Sequence, residues 1–219
     1  MKLSIIVPVY NMAADDKLKH CMDSLLAQTI EDYEIVAVDD ASTDDSLKIL
    51  RAYENKFPSK VKVLEGKVNH RQGGAKNLGL QHAVGDWIGF IDSDDWIASD
   101  MYEKLLKRAE ETGADLVGCD YTIVDHFTME PQQIVINNTS EQVGVLNADK
   151  HKKHILRAGS MVVKIYKHSV IKENDLCFPS DIFYEDNCAA PLWSMYFTHF
   201  ERVEEPLYFY YTVPTSTTH

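Results

Sequence analysis

The sequence predicts an α/β fold with a mainly parallel sheet covered by helices on both faces. Short apolar runs rich in β-branched residues alternate with stretches of helical periodicity through the first 120 residues. The runs are almost continuously apolar, as in strands buried on both sides. Polar clusters follow several of them, at the carboxyl ends where such sheets bind ligands.

Each element has its own signal. Leu3 to Val9 is an uninterrupted apolar run and reads as the first strand. Leu18, Cys21, Met22, Leu25 and Leu26 recur at helical spacing. Glu34 to Val38 is a second strand, and Leu47, Leu50 and Tyr53 mark a helix behind the cap-forming residues 41–44. Val61 to Leu64 is a short third strand. Gly73 to Val84 reads as a helix opening on glycines, and Trp87 to Ile91 as a fourth strand. Ser99 is placed to cap a helix through Glu111 that Gly113 closes, and Leu116 to Cys119 forms a fifth strand.

Beyond Tyr121 the rhythm changes. Residues 122–146 are irregular, with a β-prone Ile134–Ile136. Asn147 caps a short helix over residues 147–157. A strand-like Met161 to Tyr166, a short helix near His168 to Asn174, a helix over Asp186 to Phe197 and an aromatic strand Pro206 to Tyr211 follow. Pro191 interrupts the backbone bonding of the helix it falls in and leaves that helix's start open. No repeat or low-complexity linker divides the chain. The reading is one domain over residues 1–219, with residues 1–120 facing the ligand and 121–219 forming a more variable half. The polar stretch Thr215 to His219 reads as cut from something longer.

Composition narrows the function. Of 219 residues, 45% are hydrophobic and 26% charged, as in ordinary globular proteins. A net charge of −12 opposes a nucleic-acid surface and requires a local cation or metal for any anionic ligand. No stretch approaches the roughly 20 apolar residues of a membrane span, and the opening residues, broken by Pro8, do not read as a signal peptide. Cys21, Cys119, Cys177 and Cys188 form no C-x-x-C pair and read as small buried hydrophobes of a reduced chain.

The densest chemistry is Asp92-Ser93-Asp94-Asp95 behind the fourth strand. Three carboxylates within four positions repel one another, and oxygen ligands of this kind suit Mg²⁺ or Mn²⁺ completed by water and diphosphate oxygens. An acidic loop leading into the next helix is the alternative. Asp39-Asp40 follow the second strand; one acid there caps a helix, but two exceed that need, and a strand-end carboxylate can accept an N–H from a pyrimidine base. In Arg71 and Gly73-Gly74-Ala75-Lys76-Asn77, the glycines admit a close ligand and the cations offset diphosphate charge, or the cations are solvated helix charges. His151 and His154 sit among lysines and read as a solvated helix face. Trp87, Trp96 and Trp193 read as packing, with Trp96 the best placed to face a sugar.

These segments, in this order, resemble the family 2 glycosyltransferases, which have the GT-A fold. The likeness is carried by Ser4-Ile5-Ile6-Val7-Pro8-Val9-Tyr10-Asn11, Ser24 to Thr29, Val38-Asp39-Asp40-Ala41-Ser42-Thr43-Asp44 and Asn69. It continues through Gly73 to Gly79, Gly85 to Asp95, Lys164-Ile165-Tyr166-Lys167, Phe178-Pro179 and Tyr184-Glu185-Asp186-Asn187. The resemblance implies a nucleotide-sugar site at Pro8, Tyr10, Asn11, Asp39, Asp40, Arg71, Lys76, Asp92 and Ser93, with Asp40 on uracil. It implies Mn²⁺ or Mg²⁺ on Asp94 and Asp92, with Asp95 as alternate. It implies an inverting transfer with Asp186 as base and Glu185 as alternate. The partners so implied are a UDP-sugar donor and a glycan or lipid-linked acceptor in surface polysaccharide synthesis. The place implied is the cytoplasm, including the inner face of the membrane. Two departures stand out: Lys76 replaces the usual Arg, and Tyr211-Thr212 lacks the cation related chains carry in the closing strand. A sugar nucleotidyltransferase and a non-catalytic nucleotide-sugar binder are the competing readings. The first lacks its glycine-rich opening loop, since the first strand here ends in Pro-Val-Tyr-Asn. The second is at odds with intact Asp92, Asp94 and Asp186.

Overall fold

The computed structural model describes residues 1–125 and 128–212, so Thr215 to His219 lies outside the described residues. The first half is built of β1 (Leu3–Val9), α1 (Lys17–Leu26), β2 (Tyr33–Asp39), α2 (Ser46–Lys56), β3 (Val61–Glu65), α3 (Arg71–His82), β4 (Trp87–Phe90), β5 (Trp96–Ile97) and α4 (Met101–Thr112). The second half contributes β6 (Leu116–Val124), β7 (Pro131–Val135), β8 (Gly144–Val145), α5 (Ala148–Leu156), β9 (Lys164–Lys167), α6 (His168–Glu173), α7 (Glu185–Trp193) and β10 (His199–Tyr211).

All ten strands join one sheet in the order β3-β2-β1-β4-β9-β6-β10-β5, with β7 added on β6 and β8 on β10. The first four strands are parallel, and β6 runs parallel to β10. β9 closes the gap between β4 and β6 antiparallel to both. Chain order reverses beside β1: β2 and β3 lie on one side and β4 on the other. That is the switch point whose strand ends open a crevice. Pro8 belongs there. The β1–β4 pairing ends at Ile6 and Phe90, so Pro8 lies past the last residue that pairs with β4.

The core confirms why these residues make strands. Every residue of β1, β2 and β4 is buried. Leu18, Cys21, Met22 and Leu25 form the inward face of α1, and Met101, Tyr102, Leu105, Leu106 and Ala109 that of α4. A second aromatic cluster joins the halves: Phe90 meets Tyr166, Phe178 and Trp193 edge-on or tilted at centroid distances of 5.2–6.1 Å.

Several expectations are corrected. Asp100, not Ser99, occupies the position before α4, and the Ser99 carbonyl accepts the Thr29 N–H instead. The fifth expected strand extends to Val124, and a two-residue strand at Trp96–Ile97 precedes it. β10 begins seven residues before Pro206, which is accommodated at a register shift where its missing donor is tolerated. His154 is buried, edge-on to Phe200 at 4.8 Å, with its Nε2 against the Gln142 carbonyl; only a tertiary partner makes that position internal. Cys21 and Cys119 are buried as expected, but Cys177 and Cys188 are exposed. Among the described residues, no helix is long and apolar enough to cross a membrane.

Candidate active site

Three loops at the carboxyl ends of β1, β2 and β4 form the rim of the crevice. The first two are stitched together. The Asn11 and Met12 amides donate to the Ser42 and Ser46 hydroxyls, and the Ala13 amide donates to Asp44. The Asn11 side-chain oxygen accepts the Thr43 amide at 2.8 Å. Asn11 therefore shapes the loop, with its own backbone at φ 52°, and Tyr10 is left exposed beside it.

Asp39 and Asp40 close β2 almost wholly buried. One Asp39 oxygen accepts the Ser42 amide, and one Asp40 oxygen accepts the His70 amide at 3.0 Å. The second oxygen of each, Asp39 Oδ1 and Asp40 Oδ2, is buried without a donor, as is Asp92 Oδ1. A buried acceptor left unpaired costs on the order of 1–3 kcal/mol, more when charged. Asp39 Oδ1 and Asp40 Oδ2, at the end of β2, mark places where donors belong, whereas Asp92 Oδ1 lies 4.0 Å from the Lys76 ammonium. Burial raises the Asp40 pKa despite its backbone partners.

Behind β4 the acids separate. Asp92 is pushed up to about 6 by burial; Lys76 opposes this, while the charges of Asp94, Glu185 and Asp186 add to it. Those four carboxylates therefore share one electrostatic neighbourhood. Ser93 is buried, and Asp94 is half-buried, its pKa raised by burial with Lys17 pulling the other way. Asp95 turns inward, accepting the Tyr208 hydroxyl at 2.5 Å and the Tyr211 amide at 2.8 Å, and is 1% exposed. It ties β10 to the β4 end, and each of its oxygens already accepts a protein donor.

Of the two α3 cations, Lys76 is not a solvated charge, while Arg71 is half-buried. Lys76 is 2% exposed, 2.7 Å from Glu185 and 4.0 Å from Asp92. Arg71 lies 3.8 Å over the Phe183 ring. Its backbone is left-handed at φ 61°, a conformation that costs a non-glycine residue roughly 1–3 kcal/mol. Its amide is held by the Asn69 side chain. Gly73 is required by contact: a Cβ there would lie 2.0 Å from the Pro179 carbonyl oxygen. The motif thus meets the segment before α7 rather than open solvent.

That segment delivers Glu185 and Asp186. Tyr184, left-handed at φ 59°, turns the chain into α7. Pro191 falls in the last turn and leaves the start at Glu185 intact. Glu185 is buried against Lys76, its carboxylate paired at 2.7 Å. Asp186 is half-buried in the first turn, with Oδ1 accepting the next amide. It does not cap the helix, since Tyr184 holds that position.

Two features escaped the sequence. Lys17 reaches from α1 over the Tyr211 ring at 4.5 Å and acts on Asp94, supplying a cation on the side where the closing strand has none. Trp96 is stacked on Phe209 at 5.6 Å and meets His20 edge-on, so at least one face is covered.

Among the described residues no three His, Cys, Asp or Glu side chains form a closed metal cage. An open arrangement of one or two carboxylates completed by phosphate oxygens and water is the habit of Mg²⁺ and of similar hard cations. Asp94 and Asp92 fit it.

A Rossmann-like half-sheet with an acidic rim at its switch point, extended by an antiparallel second half, is the GT-A architecture. The chain belongs to glycosyl transferase family 2, whose sequence profile matches residues 4–171. It is 32% identical over 221 residues to the uncharacterized glycosyltransferase EpsJ of Bacillus subtilis, covering 99% of this chain and 62% of that protein. It is 35% identical over 185 residues to the poly(ribitol-phosphate) beta-glucosyltransferase of Bacillus spizizenii, covering 83% of this chain and 27% of that one. The Staphylococcus aureus TarS 1–349 complex with UDP superposes with a TM-score of 0.79 at 27% identity, over 98% of this chain and 61% of TarS 1–349. The chain thus spans about three fifths of EpsJ and of TarS 1–349, and less of the glucosyltransferase.

Proposed function

We propose that the protein transfers a sugar from a UDP-sugar to a hydroxyl of a surface glycan or lipid-linked acceptor, with inversion. The observation that carries this reading is the pair of buried carboxylate oxygens on Asp39 and Asp40, without a hydrogen-bond donor among the described residues, at the end of β2. Asp40 Oδ2 accepts the base N–H of uracil, beside Tyr10 and Pro8, while Asp39 accepts a ribose hydroxyl. TarS, captured with UDP and with UDP-GlcNAc, supports the choice of uridine. The poly(ribitol-phosphate) transferases support a polymer hydroxyl as acceptor. Such an acceptor would be met in the cytoplasm, at the inner face of the membrane.

Asp186 takes the proton from the acceptor hydroxyl. The acceptor oxygen then bonds to the anomeric carbon as the bond from that carbon to the diphosphate oxygen breaks. The electron pair leaves with UDP, and the anomeric configuration inverts. Lys17 stands on the rim toward the departing diphosphate. A Mn²⁺ or Mg²⁺ ion held by Asp94 and Asp92 would neutralise charge on that leaving group.

Calorimetric titration of UDP with and without Mn²⁺ tests the reading. Binding that strengthens with the ion is expected, together with UDP release from a UDP-sugar when acceptor is supplied. Absence of UDP binding under both conditions would sink the proposal.

A further inference from the structure

We infer that the α3 opening is the positioning platform for the proposed base, and that Lys76, Asn77 and His70 are its positioning residues. The inference rests on the reading of Asp186 as base and adds how that residue is held.

Three independent attachments carry it. The Asn77 side chain donates to the Phe178 carbonyl and accepts the Phe178 amide, both at 2.8 Å, a two-bond clamp on one peptide position. His70 accepts the Asp181 amide on its carbonyl, and its ring Nδ1 lies 2.9 Å from the Asp181 carboxylate. Lys76 buries its charge against Glu185, the residue before Asp186. These contacts join positions about a hundred residues apart in sequence, all at the start and first two turns of α3, and they end one residue from the base. An element that only packed against α3 would not spend two backbone-directed clamps and a buried ion pair in eight residues.

The same platform touches the donor side. The His70 amide holds the Asp40 oxygen opposite the one left for the base, and the Lys76 ammonium is 4.0 Å from Asp92. A shift of α3 on donor binding therefore reaches Asp186 through rigid contacts. Misplacing a reacting group by about 1 Å costs on the order of a hundredfold in rate.

The test uses Asn77→Ala, which removes the clamp without touching the donor site, alongside Lys76→Met and Lys76→Arg. Each is measured for kcat, donor KM, UDP affinity, thermal unfolding and amide exchange across residues 178–187. For Asn77→Ala the expected result is a fall in kcat of roughly ten- to a hundredfold at nearly unchanged UDP affinity, with faster exchange confined to 178–187. Lys76→Arg should restore kcat lost in Lys76→Met, because an arginine can still pair with Glu185. Wild-type kcat in Asn77→Ala, or UDP affinity falling in step with kcat, overturns the inference. Should Asn77→Ala unfold, Asn77→Asp, which keeps the acceptor for the Phe178 amide but loses the donor to the Phe178 carbonyl, replaces it with the same criteria. Asp186→Asn separates the two readings: if that variant still transfers sugar, the base assignment fails, whereas the exchange result on 178–187 judges the platform alone.

Discussion

Asp40 holds the His70 amide with one oxygen and buries the other with no donor in reach. The pair divides one carboxylate into a structural half and an open half. Asparagine at position 40 can keep the first half by turning its carbonyl oxygen to His70. It must then present an NH₂ where a base N–H is proposed to bind, and two donors face each other. The expected outcome for Asp40→Asn is UDP affinity reduced by roughly ten- to a hundredfold, as for loss of a hydrogen bond to a charged acceptor. Thermal stability should hold or rise, since burial disfavours the charge being removed. Calorimetry and a thermal melt on the same sample check both halves.

Lys17, on α1 and over the Tyr211 ring, is a cation that acts on Asp94. Its charge opposes the burial-driven rise of the Asp94 pKa, so it faces the same edge. Lys17→Met should weaken UDP binding by about three- to tenfold and steepen no further with salt, because the charge that salt screens is gone. Wild-type UDP affinity in that variant at low salt would remove Lys17 from the site.

How much of this could be read beforehand follows from the range of the forces. The strands of the first half were legible because β-branched apolar runs make the same choice locally and globally. Asp39, Asp40, Asp92 and Asp94 were legible because they follow such runs directly. Lys76 was not: helical spacing places it on α3, but nothing local tells that Glu185, 109 residues later, neutralises it. Asp95 looked equivalent to its neighbours until Tyr208 and Tyr211 arrived from β10. Ser42 and Asp44 looked like cap residues; Ser42 bonds instead to the loop after β1, and Asp44 divides its oxygens between that loop and the Ser46 amide at the start of α2.

His154 gives a pH signature. Burial lowers its pKa to about 4, and the nearby charges of Lys164 and His151 act in the same direction. The α7 side chains on its cavity, Ala190, Trp193 and Ser194, carry no charge. The unfolded chain takes up this proton near 6.5, the folded chain only near 4. Between those values the unfolded state binds more protons, so stability is full above pH 6.5 and falls as pH drops toward 4. The contribution is on the order of 3 kcal/mol. In urea unfolding from pH 4 to 7, His154→Leu should show a shallower loss than the parent; equal slopes would contradict the burial.

Asp186 and Glu185 are adjacent yet placed for different work, and paired substitutions separate them. Glu185 is sealed under α3 with its charge matched by Lys76, so Glu185→Gln leaves a buried ammonium short of its partner. Its expected effect is on folding, seen as a lower melting temperature, with transfer falling alongside. Asp186 lies half-open in the first turn of α7, and its Oδ1 contact is to the next amide, which asparagine can keep. Asp186→Asn should therefore melt like the parent and bind UDP within about twofold. Its transfer rate should drop by roughly 10²–10⁴, the range supplied by a positioned general base. A loss of both UDP binding and stability in Asp186→Asn would move the residue from the chemistry to the scaffold. Transfer at the parent rate would place the base elsewhere on the rim.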